Sequence, residues 1–76
     1  MNKYIKGNLG IVKKDLVDYI TIEFDRTMIT FLIKAKLGGL LSNTVVIGRY
    51  KKMYEAENEI SRIYMELENN KKHGGI

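Results

Sequence analysis

The chain has no cysteine and a single histidine among its 76 residues. Without cysteine there is no disulfide to staple a small domain and no thiolate to act as a nucleophile or to hold a metal. The histidine, His73, lies in the C-terminal run KKHGGI, so a hydrolytic triad has no base to use. Glycines are present, but Gly7, Gly10, Gly38 and Gly39 match neither a dinucleotide fingerprint nor a phosphate-binding loop, and they read as turn and bulge residues. Asp15 with Asp18, and Glu23 with Asp25, resemble carboxylate pairs, yet neither has the extra oxygen ligands of a calcium loop or an acid/base partner. The expectation is a non-enzymatic protein with no catalytic residue, cofactor or metal.

Long apolar runs are also missing. The start, MNKYIKGNLG, has no apolar stretch after its positive charges, and the longest apolar segment, residues 27–41, is interrupted by Lys34 and Lys36. A cytoplasmic protein with no membrane partner is expected. A domain of this size buries only about 60–65% of the surface its unfolded chain exposes. With disulfides and metals excluded, self-association is the remaining way to add buried area, so a homo-oligomer, most simply a dimer, is expected.

The net charge of +4 conceals a division. Residues 1–52 carry ten Lys or Arg against four Asp or Glu, whereas residues 53–70 carry Arg62 against five Glu. One reading is a basic surface for an anionic partner, with the acidic segment turned away from it. The other is compositional: ten Ile, ten Lys and six Asn suit an AT-rich coding sequence, which raises Lys everywhere.

What the chain does contain is clear patterning. Residues 4–12 read as a strand or hairpin bent at Gly7 and Gly10. Residues 16–24 alternate, with Leu16, Ile20, Ile22 and Phe24 on one face and Val17, Tyr19, Thr21 and Glu23 on the other. Asp25-Arg26 suits a tight turn, and a strand over residues 27–37 follows. Gly38-Gly39 breaks it, residues 40–43 form a loop, and residues 44–50 make the last strand. Met53, Ala56, Ile60, Ile63 and Leu67 then recur at spacings of three and four, predicting one amphipathic helix that ends by Asn70 and covers the sheet. A two-heptad dimer seam is the less economical use of that stripe. The expected architecture is α+β: an antiparallel meander of about four strands with one C-terminal helix on one face, in a single domain over residues 1–70 with a flexible tail over residues 71–76.

If the helix covers one face, the other carries Val17, Tyr19, Leu32, Val45 and Ile47 beside Lys34, Lys36 and Arg49. Strict alternation makes that face too apolar for free solvent, so either it associates or the sheet curls to bury it. Tyr19, Leu32, Lys34, Lys36, Ile47 and Arg49 are the candidate binding residues, for a second copy, a host protein or an anionic ligand. Nucleic acid is the alternative partner. Tyr4, Tyr19 and Tyr50 interleave with Lys3, Lys6, Lys34, Lys36, Arg49, Lys51 and Lys52, the ingredients for stacking bases and neutralising phosphates. No helix-turn-helix, RNP cluster or KH loop accompanies them.

In residues 45–60, VVIGRYKKMYEAENEI, the residues Gly48, Tyr50, Glu55, Ala56 and Ile60 form a strand-to-helix pattern. It resembles small, mostly uncharacterised proteins of Gram-positive bacteria and their phages, with a weaker echo at residues 15–22. The resemblance implies a β-meander-plus-helix fold and a phage or mobile-element origin, and points to no particular activity. The chain departs from the pattern in lacking Ser or Thr as helix N-cap, having Lys51-Lys52-Met53 there instead.

Overall fold

The computed structural model describes residues 3–39 and 43–74, with side chains as far as residue 68. Five strands and one helix follow in order: β1 (Tyr4–Lys6), β2 (Ile11–Lys13), a single 3-10 turn (Lys14–Leu16), β3 (Val17–Asp25), β4 (Thr30–Leu37), β5 (Asn43–Tyr50) and α1 (Met53–Gly74). β1 and β2 form a separate antiparallel hairpin, and β3-β4-β5 form an antiparallel sheet in sequence order. Helix α1 packs across that sheet, touching all three strands. The fold is α+β, as the patterning predicts.

The core is one aliphatic cluster. Ile5 and Val12 from the hairpin, Ile20, Ile33, Ala35 and Ile47 from the sheet, and Ala56 and Ile63 from the helix are all buried. Ile60 and Leu67 pack against it, so four of the five residues in the expected helical stripe face inward. Met53 does not: it lies in the first helical turn, past the end of β5, and is exposed. No Ser or Thr caps the helix. Instead Glu55, at the third helical position, accepts a 3.2 Å hydrogen bond from the Lys52 N–H, which supplies one half of a capping box.

The structure differs from expectation at four local points. The helix continues past Asn70 to Gly74, so residues 71–74 extend it. Nothing in Asn70-Lys71-Lys72 breaks a helix, and lysines suit its negative end. The turn after β3 spans residues 26–29, and β4 begins at Thr30. The Asp25 carboxylate fixes that turn by accepting from the Thr27 N–H at 3.0 Å. Leu16 leaves the strand for the 3-10 turn, half exposed. Asn43, expected in the loop over residues 40–43, instead begins β5, and the rest of that loop, residues 40–42, lies outside the described residues.

The fifth difference concerns the sheet faces. The β3–β4 register shifts between Val17 and Tyr19, and the β4–β5 register shifts between Ile33 and Lys34. In the second bulge Val46 opposes Lys34 and Gly48 opposes Ile33, leaving Ile47 as the extra residue. Each bulge inverts the alternation beyond it. Val17, Val45 and Ile47, expected on the outer face, therefore join the core under the helix and hairpin.

Candidate functional site

The outer sheet face is built from cross-strand rows. Tyr19 lies beside Lys36 and Thr44, Thr21 beside Lys34 and Val46, Glu23 beside Leu32 and Arg49, and Asp25 beside Thr30. Of the six sequence-predicted binding residues, Tyr19, Leu32, Lys34, Lys36 and Arg49 share this face, whereas Ile47 is fully buried on the opposite side. With Val17, Val45 and Ile47 removed, the face is polar apart from Tyr19, Leu32 and Val46. It is the ordinary solvated side of an antiparallel sheet, and Leu32 is covered to 8% exposure within it.

Two of its cations are already engaged. Lys34 Nζ donates to Glu23 Oε2 at 2.7 Å. Arg49 Nη1 donates to Asp25 Oδ2 at 3.0 Å and to Thr30 Oγ1 at 2.8 Å. The Arg49 hydrogen bond holds the Asp25 carboxyl below its usual range, with backbone bonds from Thr27 and Met28 helping against partial burial. The tyrosines expected to stack bases are dispersed: Tyr4 on β1, Tyr19 on the outer face, and Tyr50 packed against the core.

Tyr50 instead begins a polar clamp between sheet, helix and hairpin. Its hydroxyl donates to Glu59 Oε2 at 2.6 Å. Arg62 pairs with Glu59, reaches Glu66 Oε1 at 3.3 Å and donates to the Lys6 carbonyl at 2.9 Å. Burial and the Glu59 bond push the Tyr50 phenol up to about 12. Burial works to raise Glu59, but the hydrogen bonds from Tyr50 and Arg62 outweigh it and lower its carboxyl. Those groups tie the sheet, the helix and the hairpin together.

Asp15 and Asp18 come together with Lys14, Val17, Tyr64, Leu67 and Glu68 around an open cleft of 290 Å³. A Cβ at Gly38 would come within 2.8 Å of the Asp18 Oδ1, so a larger residue there would make that carboxylate shift. Among the described residues, no group of three His, Cys, Asp or Glu is arranged to hold a metal. No helix among them is long and apolar enough to cross a membrane.

Both sheet edges carry plugs. The hairpin tip docks on β5, with the Leu9 N–H donating to the Ile47 carbonyl at 2.9 Å, and the Asn8 side chain bonding both the N–H and the carbonyl of Arg49 at 2.9 Å. On β3, the Tyr64 hydroxyl donates to the Ile20 carbonyl at 2.7 Å and accepts from the Ile20 N–H at 3.2 Å. Such plugs oppose edge-to-edge pairing.

Sequence reasoning missed a further surface. The registers Phe24↔Phe31 and Phe31↔Tyr50 place the β3–β4 turn, the end of β5 and the start of α1 at one end of the sheet. Exposed there are Phe24 (48%), Met28 (60%), Ile29 (72%), Met53 (43%) and Tyr54 (57%). Arg26, Lys51 and Lys52 are exposed at the same end, and among the described residues none of them pairs with a carboxylate. Lys52 Nζ lies 5.8 Å from the centre of the Tyr54 ring. Ile29 adopts φ 52, a left-handed conformation that favours Gly or Asn and disfavours a β-branched side chain. The signal in the sequence was a turn, Arg26-Thr27-Met28-Ile29, with two adjacent apolar residues and no glycine.

In comparisons with protein-family models, curated proteins and solved structures, nothing matches this chain.

Proposed function

We propose that the protein is a small non-enzymatic binding module that docks an anionic partner through the sheet end bearing Arg26, Lys51 and Lys52 beside Phe24, Met28 and Ile29. The observation that carries this reading is Ile29. A large apolar side chain stands 72% exposed, at a φ of 52, where glycine or asparagine would be unstrained. Strain and exposure at one residue break two local rules at once, and such breaks concentrate where a protein meets something else. Charge supports an anionic partner, because none of the cations at this end forms an ion pair among the described residues, while Lys34 and Arg49 on the sheet face are ion-paired.

The same charge gives this reading precedence over a homodimer through that end. A two-fold contact would set Arg26, Lys51 and Lys52 against their own copies. The test is an amide-resolved NMR titration with a soluble polyanion, heparin, and with single- and double-stranded oligonucleotides. Shifts centred on Arg26, Lys51 and Lys52 that fade between about 50 and 200 mM salt are expected. Shifts centred on Tyr19 and Lys36 would move the site to the sheet face and favour nucleic acid. No shift with any polyanion at low salt would reject an anionic partner.

A further inference from the structure

Resting on that reading, we infer that the anionic partner is a lipid surface, contacted peripherally by the β3–β4 turn. Three features converge on it. First, the apolar side chains sit on a turn, so Met28 and Ile29 protrude rather than line a groove. Protruding apolar residues flanked by cations are suited to an interface, where the apolar tips enter the acyl boundary and the cations remain among the headgroups. Second, Arg26, Lys51 and Lys52 are exposed without acidic partners among the described residues, which is complementary to anionic headgroups. Third, Tyr54, exposed beside Lys52, has the amphipathic ring favoured at headgroup depth.

The other occupants fit less of this. Nucleic acid would use the cations and leave Met28 and Ile29 in water. A second copy would meet like charge. Peripheral contact requires no spanning helix, so the lack of one among the described residues does not bear on it.

The experiment is co-sedimentation of the full chain with sucrose-loaded vesicles of phosphatidylcholine alone or mixed with phosphatidylglycerol. Binding to the mixed vesicles and not to phosphatidylcholine alone is expected. The diagnostic variant is Ile29→Asn, which removes the apolar side chain and suits the left-handed backbone. It should raise the thermal midpoint while lowering vesicle partition about tenfold, so misfolding cannot account for the loss. The double change Lys51→Glu, Lys52→Glu should abolish the preference for phosphatidylglycerol. Unchanged partition of a folded Ile29→Asn variant, or equal binding to both vesicle types, would overturn the lipid assignment. If vesicles fail to bind but heparin still shifts Arg26, Lys51 and Lys52, the lipid assignment falls and the anion-binding end stands. If neither binds, both fall.

Discussion

The hydroxyl of Tyr64 bridges the N–H and the carbonyl of Ile20, 44 residues earlier in the chain, and so occupies the outward edge of β3 with a side chain. An antiparallel edge strand turns alternate residues outward, and those backbone groups are a template for another chain. One tyrosine closes that template where the helix passes it. Tyr64→Phe keeps the ring and removes both bonds. The expected cost is about 1 kcal/mol in urea unfolding, with faster amide exchange at Ile20. Concentration-dependent association of this variant, read by light scattering, is the further outcome expected of an opened edge; an unchanged exchange rate at Ile20 would show that the hydroxyl does not guard it.

The opposite edge depends on close approach. A Cβ at Gly7 would lie 2.0 Å from the Ile47 carbonyl oxygen, whereas one at Gly10 would lie 3.4 Å from that of Val46. Gly7→Ala must therefore displace the hairpin, and Gly10→Ala need not. We expect Gly7→Ala to cost more than about 2 kcal/mol, with loss of protection at Leu9 and Arg49, and Gly10→Ala to cost well under half as much. Asn8→Ala, which leaves the Arg49 N–H and carbonyl to water, should fall between them at about 1–2 kcal/mol. Equal costs for the two glycine variants would mean the hairpin is not held against β5 by this contact.

Ile47 and Leu32 separate what alternation reveals from what it hides. Both were expected on the outer face, yet Ile47 is fully buried beneath the hairpin tip and Leu32 lies between Glu23 and Arg49 on the solvated side. Ile47→Lys should abolish the helical circular-dichroism signal, and Leu32→Lys, able to extend its stem toward solvent, should keep it. Ile47→Ala should cost about 2–5 kcal/mol by chemical denaturation. The helix and the alternation of residues 19–24 were legible because many positions vote for one period. A bulge is one residue, and it inverts every assignment beyond it. Its trace in β5 was Gly48 after three consecutive apolar residues, a cue that strict alternation disregards. The apolar turn was hidden for a related reason. Ile29 continues the apolar pattern of β4, and only the backbone shows that the strand starts after it.

The Tyr50–Glu59–Arg62 clamp gives the fold a pH dependence on both sides. On the acid side, Glu59 has a folded-state value below its ordinary one, because the Tyr50 and Arg62 bonds outweigh burial. Its contribution is complete above the ordinary glutamate value of about 4.3 and is lost as pH falls through the lowered value. Asp25, lowered chiefly by its bond from Arg49, acts in the same direction. On the alkaline side, Tyr50 is raised from 10.0 to about 12 by burial and by Glu59. The unfolded chain then loses its proton first, so the Tyr50 contribution is constant below 10 and is lost as pH rises toward 12. Glu59→Gln leaves an oxygen to accept from Tyr50 but removes the charge that resists tyrosinate formation and pairs with Arg62. It should lower the Tyr50 midpoint from about 12 toward 10, followed by the NMR shift of its ring, and flatten the acid limb of the stability curve. A Tyr50 midpoint near 10 in the unmodified protein would mean that neither burial nor the Glu59 carboxylate holds the phenol.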